Sequence, residues 1–127
     1  VNLVFIAIGG AIGSLCRYFA ALAFTALAGT WLPWGTVLVN ITGSFVIGCA
    51  GGAAIAGAPA SAAPFVRYFI MAGLCGGYTT FSAFSLQTVD LLQAGLPGRA
   101  LLHVLISVSA CVAATSIGYS IAAALTR

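Results

Sequence analysis

The sequence predicts an all-α membrane protein built from four transmembrane helices, and three observations carry that expectation. Of its 127 residues, 62% are hydrophobic and only 4% charged, whereas a soluble globular domain carries about 25% charged residues. Mean hydropathy is +1.19, and apolar sequence runs from end to end, unlike the single stretch of a signal peptide. Clusters of Gly, Pro and Trp divide the chain into pieces close to the roughly 20 residues needed to cross a hydrocarbon core.

The first predicted helix spans about 2–28 and ends at Gly29-Thr30-Trp31-Leu32-Pro33-Trp34. Tryptophans around a proline suit a turn in the interfacial aromatic belt. The second spans about 35–56 and gives way to a short loop rich in Ala, Gly and Pro that ends at Pro64. The third covers about 65–93, and Gly95-Leu96-Pro97-Gly98 makes the next turn. The fourth runs over about 99–126, so one four-helix domain accounts for residues 1–127. Inside the third helix lies GLCGGYTTFSAFS, residues 73–85, with three glycines and four Ser/Thr hydroxyls. Such residues loosen a helix and expose its backbone.

Small residues mark the expected helix contacts. Gly9 and Gly13 form a GxxxG spacing, while Gly43, Gly48, Gly51 and Gly52 stud the second helix. Close approach of helices explains them, in packing and in dimerisation. The arginines set orientation. Arg67 and Arg127 fall on one side; Arg99 falls on the other, joined by Arg17 if its side chain snorkels outward. Two against two gives no bias, which is compatible with insertion in both orientations and with an antiparallel homodimer. So few arginines are also a weak signal in themselves, and residues preceding Val1 would change the balance.

Polar residues within the spans form stripes. Thr36, Asn40 and Ser44 are spaced by four on the second helix, and His103, Ser107, Cys111 and Thr115 on the fourth. Thr79, Ser82 and Ser85 recur by three on the third, with Thr88 next. Taken singly, a Ser or Thr in a membrane helix usually bonds its own backbone one turn back, Asn40 could join two helices, and His103 could be an uncharged packing residue. Three stripes together favour a polar conduit.

The contents of that conduit are narrowed by what is scarce. Asp90 is the sole acid, late in the third helix, so proton-coupled export through a carboxylate and acid-ringed cation channels lack their main group. Amide and hydroxyl donors suit an anion, and Phe81 and Phe84 could meet one with their positive ring edges. No carboxylate pair, phosphate loop or metal cluster points to an enzyme. Four scattered cysteines without CxxC spacing read as packing residues, and four arginines offer no nucleic-acid surface.

Three stretches in order, Gly9-Gly10-Ala11-Ile12-Gly13-Ser14-Leu15-Cys16-Arg17-Tyr18, Gly35-Thr36-Val37-Leu38-Val39-Asn40-Ile41-Thr42-Gly43-Ser44-Phe45 and GLCGGYTTFSAFS, resemble the Fluc (CrcB) family of fluoride channels over essentially the whole chain. The resemblance implies an antiparallel, dual-topology homodimer with a break in the third helix and two pores drawing on both chains. It implies passive fluoride export across a bacterial inner membrane, conferring fluoride resistance. By motif position, Phe81 and Phe84 line the fluoride path, Asn40 stands at its polar end, and Thr80 and Ser82 belong to the hydroxyl-rich break. His103 stands where some members carry Tyr, Ser107 on a hydroxyl track, and Cys111 where Ser is common. A structural sodium ion at the dimer centre is implied, held by backbone carbonyls of Gly76 and Thr79, and no organic cofactor. Gln87 replaces a usual Glu. Two other readings remain: a small proton-coupled exporter, opposed by the absence of an acid in the first helix, and a non-transporting membrane subunit.

Overall fold

A computed structural model describes residues 1–57 and 59–126. Helix α1 (Asn2–Ala28) ends where Gly29 takes φ 83°, a left-handed conformation that suits glycine. Helix α2 (Trp34–Ile55) starts directly after Pro33. The third span opens as a wide π-type segment, π1 (Phe65–Cys75), and passes into one turn of α3 (Gly76–Tyr78). The amide of Gly76 reaches back five residues to Met71 O, which is the π register. Helix α4 (Phe81–Gln93) completes the span, and α5 (Pro97–Thr126) follows. Starting α5 at Pro97, two residues ahead of Arg99, uses a residue preorganised for the first helical position. Among the described residues, four spans are long and apolar enough to cross a membrane, so the chain is a multi-pass membrane protein.

Packing follows the glycines. Helix α2 lies chiefly against α5, and α1 chiefly against π1 with α2 and α3 beside it, while α4 is held to α5. A Cβ on Gly48 or Gly52 would run into the backbone of Thr115 or Tyr119, and one on Gly118 into Phe45 O. On the other side, a Cβ on Gly9 would lie 2.6 Å from Phe69 O. Gly13 meets Leu74 O and the Tyr78 amide in the same way. The contacts at Gly9, Gly13, Gly48 and Gly52 therefore serve packing within the chain, not only between chains as the GxxxG spacing also allowed. Gly51 is looser, its nearest neighbour being the Tyr119 ring at 3.7 Å.

The arginines divide into three kinds. Arg99 stacks over Trp31, with its guanidinium carbon 4.7 Å from the ring centroid, which brings the α1–α2 turn and the start of α5 to one end. Arg67 is exposed. Arg17 does not snorkel outward: it points inward to Thr79 O at 3.4 Å. Arg127, counted in the arginine balance, lies outside the described residues.

Candidate functional site

Two residues between α3 and α4 leave the helical conformation. Thr79 has φ −80°, ψ 158°, and Thr80 φ −150°, ψ 116°. Of the two residues whose carbonyls the resemblance implicates, Gly76 keeps helical dihedrals of −63° and −38° while Thr79 is extended. Local chemistry accounts for this placement. Extended backbone at membrane depth must find hydrogen bonds within the protein, and side chains for that purpose converge on Thr79 and Thr80.

Asn40 provides most of them. Its Nδ2 donates to Thr80 O at 3.0 Å, and its Oδ1 accepts from the Thr80 amide at 2.8 Å, so the side-chain amide pairs with Thr80 as a neighbouring strand would. Arg17 supplies the donor for Thr79 O. Thr80 caps α4 by accepting from the Ala83 amide at 3.1 Å, the role expected of an N-cap hydroxyl. Thr79 donates its own hydroxyl to Cys75 O at 2.8 Å. Because the Thr80 amide turns to Asn40, it is not available to close the helical turn onto Gly76 O.

Two cavities flank this link. The first, of about 400 Å3, has Asn40, Thr80, Phe81, Phe84, Ser107 and Cys111 in its wall. The Phe81 and Phe84 rings stand 5.3 Å apart; Phe84 is 9% exposed and Phe81 77%. The second cavity, of about 430 Å3, is bordered by Arg17, Thr36, Thr80 and Ser82. Thr80 belongs to both walls, and its hydroxyl lies 3.2 Å from that of Ser82. A guanidinium with hydroxyls around it makes the second cavity attractive to anions. The first is aromatic, with few polar atoms.

The sequence-predicted residues thus separate. Asn40, Thr80, Phe81, Phe84, Ser107 and Cys111 come together, while Ser82 sits on the Arg17 side. Gly76 and Thr79 also border the first cavity. His103 borders neither; it is wholly buried, with its ring 5.0 Å from Phe84 and its Nδ1 3.1 Å from Thr88 Oγ1. Several hydroxyls follow the ordinary pattern of bonding one turn back, as Ser85 does to Phe81 O and Thr88 to Phe84 O. Ser107 Oγ does not: it is buried without a partner, as are His103 Nε2 and Gln87 Oε1. Arg17 is the member that sequence reasoning missed. Its signal was present, since an ionisable residue well inside a predicted span is a site candidate by default.

The family model described as CrcB-like protein, Camphor Resistance (CrcB), matches residues 4–119. A Methylobacterium radiotolerans protein named fluoride-specific ion channel FluC is 47% identical over 120 residues, covering 94% of this chain and 83% of its own. Proteins of the same name from Gluconobacter oxydans and Methylocella silvestris are 45% and 39% identical, covering 88% and 100% of this chain and 78% and 97% of theirs. These relatives are named as ion channels, a class without enzymatic activity. Four apolar spans, an asparagine-clamped link between two cavities and similarity over nearly the whole length converge on one assignment: the chain belongs to the CrcB family.

Proposed function

We propose that this protein is a passive, fluoride-selective channel. The observation that carries the reading is the pair of cavities meeting at Thr80, with a guanidinium on one side and two phenylalanines and an unpartnered serine hydroxyl on the other. It agrees with the channel names of the relatives. Arg17 raises the local anion concentration, and the hydroxyls of Thr80 and Ser82 take over part of the ion's hydration. The ion then passes Phe81 and Phe84 at their positive edges and meets Ser107 and Cys111. Asn40 holds Thr80 in place and keeps one Nδ2 hydrogen for the ion. An inside-negative potential contributes about 2.3 kcal/mol per charge per 100 mV towards export, so no coupled proton carboxylate is needed. No observation favours the proton-coupled exporter: Asp90 is exposed and borders neither cavity.

The functional unit in this reading is an antiparallel homodimer in the inner membrane, with two pores. Phe81 supports it: its ring is 77% exposed at the wall of the first cavity, where a second copy would close the path. A sodium ion at the centre is compatible with the carbonyls present. Gly76 O lacks the Thr80 amide as a partner, and Thr79 O carries one long bond from Arg17. Bound there, the ion would supply fixed positive charge between the paths. Efflux from liposomes containing only the purified chain tests the reading. Fluoride should leave rapidly without a proton gradient, and Phe81→Ile should cut that efflux while the dimer persists. Chloride leaving as fast as fluoride would overturn it.

A further inference from the structure

The residues just ahead of the Thr79–Thr80 link are gripped from two sides. Towards α1, helix α3 is seated backbone on backbone. A Cβ on Gly77 would lie 2.5 Å from Gly10 O, and one on Gly13 2.9 Å from the Tyr78 amide nitrogen. Towards α2, the Tyr78 ring and the Thr79 methyl cover Gly43. A Cβ there would run into that methyl and lie 2.9 Å from Tyr78 Cδ1. Past Gly43 the ring ends in a hydrogen bond, its hydroxyl 2.9 Å from Thr42 Oγ1.

Thr42 fixes the direction of that bond. Its Oγ1 also lies 2.8 Å from Leu38 O and 3.0 Å from Val39 O. A hydroxyl has one proton and two lone pairs. With the Thr42 proton given to its own helix, its oxygen accepts and Tyr78 donates. Among the described residues the phenol bonds nothing else, and within a membrane span no water replaces a lost partner.

Asn40 and Thr42 stand two residues apart, about 200° round α2 at roughly 100° per residue. Asn40 bonds Thr80 on one flank and Thr42 holds Tyr78 on the other, with Thr79 over Gly43 between them. The chain from Tyr78 to Thr80 therefore straddles α2 and cannot turn about it while both bonds stand. Without the Thr42 bond, Tyr78 is free to turn. Thr79 and Thr80 would then shift in the cavity walls they border. Thr42 and Tyr78 themselves border neither cavity.

Resting on the fluoride reading above, we infer that the Tyr78–Thr42 bond is a latch that positions the Thr79–Thr80 link and so sets how strictly the path excludes anions larger than fluoride. Both are positioning residues, since neither meets the ion. A wall held on both flanks of α2 resists widening. One held by Asn40 alone yields to chloride, the larger and less strongly hydrated halide.

Fluoride and chloride efflux, measured side by side from liposomes holding the purified chain, tests the latch. Tyr78→Phe and Thr42→Val each remove one hydroxyl and keep the side chain's shape. Each should lower the ratio of fluoride to chloride efflux about 3–10-fold, the scale of one net hydrogen bond. Thr42→Ser keeps the hydroxyl and should keep the wild-type ratio. The double variant Thr42→Val/Tyr78→Phe should be no worse than either single one, because the same bond is lost once. A wild-type ratio in both single variants would overturn the inference, as would losses that multiply in the double variant. Thr42→Ser behaving like Thr42→Val would also overturn it, assigning the effect to packing. Chloride leaving the wild type as fast as fluoride would instead defeat the channel reading beneath it.

Discussion

The α2–α5 contact and the Thr79–Thr80 link are made from the same residue types, yet they behave in opposite ways. Along α2–α5, Gly48, Gly52 and Gly118 bring backbones together, and the Thr115 hydroxyl is consumed by Ser44 O at 3.0 Å. Around these glycines the backbones meet directly and leave no room for a ligand. At the link, backbone groups are exposed by extended dihedrals, held by Asn40 and Arg17, and flanked by cavities on both sides. Small polar residues in a membrane helix therefore do not announce a pathway by themselves. What distinguishes one is whether each polar group has been satisfied inside the chain.

The harshest way to break this comparison is to thicken the close contact. Gly48→Val would put a branched side chain where the Thr115 carbonyl stands, and backbone cannot move aside as a flexible side chain can. Overpacking commonly costs about 1–3 kcal/mol, and a backbone obstacle belongs at the upper end, so folded yield and thermal stability in detergent should collapse. Gly51→Ala, whose added Cβ meets only the Tyr119 ring at ordinary contact distance, should leave both intact. Equal stability of the two variants would show that α2 and α5 are not held backbone to backbone.

Asn40 probes the other region with a somewhat smaller effect. Asn40→Ala strips both bonds from Thr80, and each backbone group left unpaired costs about 1–3 kcal/mol. Stability should fall and fluoride efflux should disappear. Asn40→Asp separates the two roles. Its carboxylate can still accept from the Thr80 amide but cannot donate to Thr80 O, and it adds negative charge beside the anion path. The expected result is a milder loss of stability than in the alanine variant with efflux equally low. Normal efflux through Asn40→Asp would remove Asn40 from the ion's route and leave it a purely structural clamp.

The difference between the regions also explains what could be read in advance. The four spans were legible because hydropathy and Trp, Pro and Gly punctuation act locally. Asn40, Phe81 and Phe84 were singled out by their motif, and they share one cavity wall. The position of the extended residues was not legible, because a side chain forty residues earlier secures Thr80. The π form of Phe65–Cys75 was hidden for a similar reason: helical periodicity does not distinguish a wide turn from an ordinary one over a short apolar stretch. Arg17 was misplaced because snorkelling and inward bonding look alike in sequence until the partner, Thr79 O, is known.

The finest test of the comparison lies within one helix. Ser107 and Ser109 are two residues apart on α5, chemically identical, and differ only in where the hydroxyl proton goes. Ser109 gives it to Leu105 O on the exposed face, whereas Ser107 is buried in the cavity wall with no acceptor or donor. Ser109→Ala should change stability by less than about 0.5 kcal/mol, as surface substitutions do, and leave efflux unchanged. Ser107→Ala removes a buried unpaired group, so stability should hold or rise slightly. Fluoride efflux should nevertheless fall several-fold, about what the loss of one hydrogen bond of ~1 kcal/mol predicts. A serine whose removal helps the fold and harms the flux has a ligand rather than a neighbour as its partner; if Ser107→Ala conducts as well as Ser109→Ala, its hydroxyl is idle and the path runs elsewhere in the cavity.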